Sequence, residues 1–551
     1  MSQQTTLPEA VCLTLVKRGV SPESAEDYLS PTLKSLLPDP RSLKDMEQAA
    51  ARFLQAVRTG ERVAIFADYD VDGGSSAALL IDWMRQMGRD ATLYVPDRID
   101  EGYGPNEPAM RKLASQHDLI ICVDCGTLSH GPIAAAKGAD VVVLDHHLGG
   151  ETLPPALAVV NPNRQDESGD LANLCAAAVV FLMLVEAGRQ LREADQAGPN
   201  LMAMLDLVAL ATVADVAPLT GVNRAFVRQG LRVMTGRDRP GLAALADVTK
   251  LEKPPSSQTL GFVFGPRVNS GGRIGKADLG ARLLSTSNPD EALSLAQKLD
   301  TLNAERRSIE DHVRLAAIEQ AEERGLDNPL VWAAGDGWHP GVVGIVASRL
   351  KESSNRPSIV IGFDGDEGKG SGRSVSGIDL GHAIQRLTHE GLLLKGGGHK
   401  MAAGLTVSRD NLEAAMTRLS ELLAQQGADK LGAADLKLDG VLMPGAASVE
   451  LVEQLENAGP FGASSPAPRF AFPEMAIHYT RLVGQSHLKF SFSDGSGPRL
   501  EGIAFGAYDT ELGPMIEQHN GARFHLAGRL ELNTWGGRTS VQIRLEDASP
   551  A

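Results

Sequence analysis

Three short apolar runs in the first third of the chain each end in acid. VAIFADYDVDGG (63–74) leads into Asp68, Asp70 and Asp72. LIICVDCG (119–126) leads into Asp124, and VVVLDHH (141–147) into Asp145, His146 and His147. Runs of this length, rich in Val, Ile and Leu, read as strands buried on both faces of a parallel sheet. Amphipathic segments closed by glycine lie between them, such as KDMEQAAARFLQAVRTG (44–60) and SSAALLIDWMRQMG (75–88). Alternation of this kind from about 46 to 180 is the pattern of a doubly wound α/β sheet. In open parallel sheets ligands bind beyond the carboxyl ends of the strands, and the acids all fall at that edge.

Carboxylates brought within a few ångströms repel one another unless cations neutralise them. The convergence therefore points to a metal site. A set of carboxylates with one or two imidazoles suits Mn²⁺ or Mg²⁺ better than a structural zinc, which favours Cys and His. The number of acids suggests two ions sharing a bridging carboxylate, the apparatus that activates water against a phosphate ester. Asp215, in ALATVADVAP (209–218), ends a buried helix and completes the set. Cys122 and Cys125 have CxxC spacing, but Cys12 and Cys175 supply no second pair, so they read as small inert residues beside Asp124.

A chain of 551 residues is too long for one core. Residues 1–45 are punctuated by proline and read as a helical extension. A first α/β domain spans 46–289, with its later part, 218–290, of mixed character. Residues 290–325 form a long connecting helix, and 326–430 a second α/β domain. Residues 431–551 are a linker and a small β-barrel of short strands. Four cysteines give no disulfide framework, no apolar stretch is of membrane length, and the start lacks a secretory layout, so the expected setting is cytoplasmic. The net charge of −16 argues against nucleic-acid binding by the whole surface. Residues 466–551 are close to neutral, however, with 8 Lys+Arg against 9 Asp+Glu. Phe490, Phe492 and Trp535 there are either base-stacking residues or, more simply, barrel core.

DYDVDG, VDCG, LDHH and ATVADVAP, in this order, resemble the four motifs of the DHH phosphoesterase superfamily. Within it the chain is similar to the bacterial exonucleases that digest single-stranded DNA 5′→3′. The likeness continues through GPRVNSGGRIGKAD (265–278), WHPGVVGIVASRL (338–350), GSGRS (370–374) and GGGHKMAAG (396–404), and PFGASSPAPRF (460–470) resembles the lead-in to that family's OB-fold. The resemblance implies a DHH domain, a DHH-associated domain and an OB-like barrel. It implies two divalent cations, Mn²⁺ or Mg²⁺, on Asp70, Asp72, Asp124, His146 and Asp215, with Asp124 bridging. Asp68, Asp145 and His147 become catalytic residues behind the ligands or facing substrate. Arg273 and Arg373, in glycine-rich turns, with Ser374, Gly397, Gly398, His399 and His339, are placed on phosphate or DNA. The implied chemistry is two-metal hydroxide attack on the phosphodiester, releasing 5′-mononucleotides in DNA recombination and repair. The implied partners are a RecQ-type helicase and single-strand-binding protein. Two departures stand out. Cys125 replaces the amide usual in the second motif, and Phe66 stands where related pyrophosphatases carry a histidine, so one ion is expected to be held more loosely. Two rival readings remain at this point: a DHH enzyme for small phosphate substrates, and a non-catalytic replication scaffold.

Overall fold

The apolar runs form the first sheet of the computed structural model, which describes all residues except 98–100, 103, 433–434 and 496 and the side chain of Trp535. Its strands are β1 (Val63–Ala67), β2 (Ala91–Tyr94), β3 (Leu119–Val123), β4 (Asp140–Leu144) and β5 (Ala158–Val160). They lie all parallel in the order β2-β1-β3-β4-β5. Strand alternation sorts the side chains onto two faces. Ile65, Ile121, Val123 and Leu144 pack under the helices Met46–Thr59, Val71–Gln86, Ala176–Glu193 and Leu205–Ala214. Phe66, Ile120, Cys122 and Val143 pack under Glu107–Ala114 and His130–Ala135. The sheet is therefore covered on both sides, and what remains open is its carboxyl edge. Residues 218–290, expected to be mixed, hold helices and loops and no strand among the described residues. The four cysteines are free and buried, and burial raises the Cys122 thiol to about 12.

The helix Pro289–Arg324 begins behind an Asn288 cap that accepts from the Asp290 and Glu291 N–H groups. Its first half packs Ala292, Leu295 and Leu299 into the first core. Its second half packs Val313, Ala317 and Ala321 against Val331, Trp338 and Val342 of the second lobe. One continuous helix, about 54 Å long at 1.5 Å per residue, thus sets the spacing of two α/β lobes. The second lobe carries β6 (Val331–Asp336), β7 (Ser358–Asp364), β8 (Glu367–Arg373), β9 (Lys395–His399) and β10 (Ala402–Ser408) in the order β6-β7-β8-β10-β9. Within this sheet only β6 and β7 pair parallel.

The last region carries β11 (Gly440–Val441), β12 (Phe470–Val483), β13 (His487–Ser493), β14 (Leu500–Ala504), β15 (Arg523–Trp535) and β16 (Arg538–Pro550). The sheet closes on itself through β12–β15 pairing, which makes it a barrel. Three of its strands run 13 or 14 residues, longer than expected, and a register shift bends β12 between Phe472 and Met475. Phe490 and Phe492 are fully buried and belong to its core. The side chain of Trp535 lies outside the described residues. Val11, Leu15 and Ala25 of the N-terminal helices share that core. Among the described residues no helix is long and apolar enough to cross a membrane.

Arg224, on the helix Gly221–Thr235, joins three parts of the chain. Its buried guanidinium donates to the Tyr28, Ala458, Gly459 and Pro460 carbonyls and to Ser465 Oγ, and lies 3.9 Å over the Tyr28 ring. Burial, and the nearby Arg18 and Arg228, lower its pKa to about 10, so it stays charged at neutral pH. Arg224→Met strands several buried carbonyls, each costing about 1–3 kcal/mol. Urea unfolding of the full chain should therefore show a loss of roughly 3 kcal/mol, with faster proteolysis in the 457–466 segment. A change within about 0.5 kcal/mol, as at ordinary surface sites, would contradict this role.

Candidate metal centre and phosphate cleft

Each acid reaches the open edge by a different local device. Asp70 caps the helix Val71–Gln86, its Oδ1 accepting from the Asp72 and Gly73 N–H groups at 2.9 and 3.1 Å. Asp72 sits in the first turn of that helix and points at the start of another. Its two oxygens accept from the Ala176 and Ala177 N–H groups at 2.7 and 2.8 Å. A helix N-terminus favours the ionised carboxylate there, but burial outweighs it and leaves the Asp72 carboxyl raised. Asp124 follows β3 with a left-handed backbone, φ 59°, uncommon for a residue with a Cβ. Its N–H still donates to Leu144 in the neighbouring strand, so the ladder fixes the backbone while the turn redirects the carboxylate. Asp215 is the C-cap of the helix Leu205–Ala214.

These devices bring the groups together. His146 Nε2 lies 3.2 Å from Asp124, 3.7 Å from Asp72 and 3.8 Å from Asp215. Three overlapping trios could each hold a metal ion: Asp68-Asp70-Asp124, Asp124-His146-His147 and Asp72-His146-Asp215, with ligand atoms within 4.8 Å of one another. Asp124 and His146 are each common to two of them, and of the two only the carboxylate has two oxygens with which to bridge a pair of ions. Asp68 and His147, expected as helpers, each stand within one of these candidate trios. Phe66 is fully buried in β1 and stacks on Tyr94, so that position offers no ligand.

The repulsion is legible in the acidities. Burial, then Asp72, Asp70 and Asp68, push the Asp124 carboxyl well above its ordinary range. Burial, then Asp72 and Asp70, raise Asp215 to about 8. A cluster that resists ionisation at neutral pH fits the charge of divalent cations, so the donor set accepts the metals the sequence implies.

Asp145 stands apart from these trios. Its Oδ1 accepts from the His146 N–H, the His147 N–H and His147 Nδ1, and its Oδ2 from the Thr127 N–H. Against burial, these bonds hold its carboxyl below the usual range. Burial likewise opposes a charged His147, but the Asp145 hydrogen bond and charge raise that ring to about 9. Asp145 is therefore a positioning residue for the two histidines. Sequence reasoning missed a second pair doing similar work. Asn161 donates to Thr127 Oγ1 and to the His147 carbonyl, both at 2.8 Å, and Asn163 donates to the His146 carbonyl at 2.6 Å. The signal was present: Asn161-Pro162-Asn163 follows β5, so a further strand ends at this edge in amides instead of acids.

The phosphate candidates gather around another helix start. Arg273 is in the last turn of the helix Gly265–Ile274, not in a glycine-rich turn, and its Nη1 donates to the Gly341 carbonyl at 3.1 Å. Gly272 lets that helix approach the first motif, since a Cβ there would stand 2.1 Å from the Tyr69 ring. His339 caps the helix Pro340–Ser354 by accepting from the Gly341 N–H. Arg373 ends β8 instead of sitting in a loop, and its Nη2 lies near Gly344 in the first turns of that same helix. Gly397, Gly398 and His399 form edge strand β9, not a turn, and the register sets Arg373, Ala402 and His399 side by side across β8, β10 and β9. Ser374 is buried, with its hydroxyl donating to the Ile378 carbonyl.

Comparison with known proteins matches this layout domain by domain. Family models match residues 62–212 (DHH family, N-terminal domain), 327–425 (DHHA1 domain) and 438–547 (RecJ OB domain). The chain is 38% identical over 565 residues to the single-stranded-DNA-specific exonuclease RecJ of Escherichia coli, covering 99% of this chain and 96% of that one. The chain belongs to the RecJ family. RecJ of Bacillus subtilis is 32% identical over 558 residues, all of this chain and 69% of its own. Crystalline RecJ from Thermus thermophilus in complex with Mn²⁺ superposes with a TM-score of 0.79 at 28% identity, over 98% of this chain and 78% of that one. The same RecJ has also been crystallised with Mg²⁺.

The electrostatics and the amide pair each lead to a measurement. Asp215 and His147 both have raised folded pKa values. Their stabilising contributions are full below about 4 and 6.5 respectively, and are lost as pH rises through about 8 and 9. Metal-free protein should therefore melt at falling temperature between about pH 5 and pH 9, with Mn²⁺ raising the melting point most at the alkaline end. Asp215→Asn should flatten both trends; an unchanged slope in that variant would rule the cluster out as the cause. Asn163→Ala should weaken Mn²⁺ binding by calorimetry about 10- to 100-fold, as loss of an outer support does, with little change in fold. Unaltered affinity would show that Asn163 does not position His146.

Proposed function

We propose that the chain is a metal-dependent exonuclease that degrades single-stranded DNA 5′→3′ to 5′-mononucleotides in DNA recombination and repair. The observation that carries this reading is the pairing of two features. Overlapping ligand trios are linked through Asp124 and His146, and the Gly265–Ile274 helix, which contacts the first motif at Tyr69 and Val71, carries Arg273 to a helix N-terminus that Arg373 also approaches. Asp70, Asp72, Asp124, His146 and Asp215 would hold two divalent cations, with Asp68 and His147 adjoining. Bound there, Mn²⁺ or Mg²⁺ supplies Lewis-acid polarisation of the phosphate and an attacking water of lowered pKa.

The chain's own residues then have distinct tasks. The start of the helix Pro340–Ser354 offers a positive dipole end to an anion, its Gly341 and Val342 N–H groups being taken by His339. Arg273 and Arg373 present planar guanidinium groups suited to phosphate. His339 keeps this helix start in place by capping it, and β9 with His399 borders it. Together they would seat the 5′ end so that the first phosphodiester meets the ligand cluster. With Nδ1 donating to Asp145, His147 keeps Nε2 for a substrate oxygen. The barrel is a grip for the departing strand. Family resemblance supports a cytoplasmic setting, with a RecQ-type helicase and single-strand-binding protein as partners.

The test uses a long single strand labelled at either end, its duplex, and Mn²⁺. Wild-type protein should release 5′-labelled mononucleotide from the single strand alone. Asp124→Asn, still folded, should lose at least about 100-fold in rate, as expected for a carboxylate common to two of the candidate ligand trios. Cleavage of dinucleotides with the long strand left intact would favour a small-substrate enzyme. Binding of the strand with no cleavage of any substrate would favour a scaffold.

A further inference from the structure

Phe262 is the most exposed large apolar residue of the described chain, at 73%. It sits in a single turn of π-helix, Leu260–Phe264, that runs directly into the helix Gly265–Ile274. Such turns recur at functional sites because the extra residue re-aims the side chains around it. Two observations fix where this turn lies. A Cβ on Gly261 or Gly265 would stand 3.4 Å from Val213 and Ala214, the residues just before Asp215. Val216, just after Asp215, is left-handed at φ 59° and is 69% exposed. The metal cluster therefore borders the turn that carries Phe262.

The helix that continues from this turn faces the same cleft. Asn269 Oδ1 accepts from the Val71 N–H, between Asp70 and Asp72. Arg273 reaches Gly341 at the far end. Along the rod Phe262 precedes Asn269 by about 10 Å, and Arg273 lies beyond Asn269 in the opposite direction. The barrel lies toward the Phe262 end: the Leu219 N–H, three residues past Val216, donates to the Ala463 carbonyl in the lead-in to the barrel.

We propose that Phe262 is a nucleobase-stacking site on the strand just 3′ of the scissile phosphodiester. This rests on the exonuclease reading above, in which the 5′ end is held on the arginine side. An exposed aromatic ring on the departing side of the cluster gives a single strand a face to stack on and tolerates any base. A base paired in a duplex has both faces covered by its neighbours, so the ring also favours single strands over duplex.

The experiment measures steady-state digestion of single strands carrying one abasic position, moved stepwise from the 5′ end. For the wild type, an abasic residue at one position should raise KM about tenfold, the scale of one stacked base. Phe262→Ala should raise KM about tenfold on the intact strand, lower kcat by less, and add nothing further at that position. Phe262→Trp should restore KM and the position dependence; Phe262→Leu, which keeps apolar bulk without a π-face, should restore neither. Equal position dependence in the wild type and Phe262→Ala, or rescue by Phe262→Leu, would overturn the stacking site. If wild-type protein leaves the intact strand undigested, the exonuclease reading fails first and takes this inference with it, an outcome visible before any variant is made.

Discussion

Mutual repulsion among buried carboxylates is the constraint from which the rest of this molecule can be read. Asp68, Asp70, Asp72, Asp124 and Asp215 meet at one sheet edge, and burial multiplies the cost of their charge. No stable fold would gather them without something positive to face. The sheet itself does not supply it. Part of the answer is the N-terminus of the Ala176–Glu193 helix, which holds Asp72 through two backbone N–H groups. The remainder is left for cations, which is how a cluster unfavourable in the bare protein becomes a binding site.

The surroundings of the cluster are correspondingly over-determined. Asp145 accepts four hydrogen bonds in order to orient two histidines, and Asn161 and Asn163 hold the carbonyls of those same histidines. Asp124 is kept in a left-handed conformation by a β-ladder bond on its own N–H. Orientation of ligands by their neighbours tunes both affinity and geometry. The metal site is thus set by several strand ends and helix ends at once.

Distance between the two lobes is governed by a single continuous helix. Pro289–Arg324 belongs to the first core at one end and to the second at the other. The Gly265–Ile274 helix links the lobes a second time, touching Tyr69 at Gly272 and Gly341 through Arg273. The barrel is tied in separately, through Arg224 and the N-terminal helices that complete its core.

Much of this was legible in the residues. Apolar runs that end in acid determine a parallel sheet and mark its ligand edge, because an apolar run buried on both faces leaves its chemistry at the strand ends. The long helix was equally plain, since 290–324 contains no glycine or proline. The glycine-rich stretches at Arg273 and Arg373 read as turns, because glycine in sequence signals a bend, and those at Gly397 and Gly398 as a close approach to phosphate. In the folded chain Gly370 and Gly372 of β8 leave room for Ile361, Leu405, Ile359 and Leu380, and Gly396 and Gly398 of β9 for Ile384 and Ala403. A glycine kept for close packing and a glycine kept for a turn look identical in a sequence. The sequence alone therefore determined the sheet, its reactive edge and the metal chemistry, which depend on local pattern and residue type. Tertiary structure alone decided that Asp68 and His147 stand beside the candidate ligands, that Asp145 and two asparagines hold the two histidines, and that Arg273, His339 and Arg373 meet at one helix start. Those relations join residues far apart in the chain, and only the packing of separate elements brings them within bonding distance.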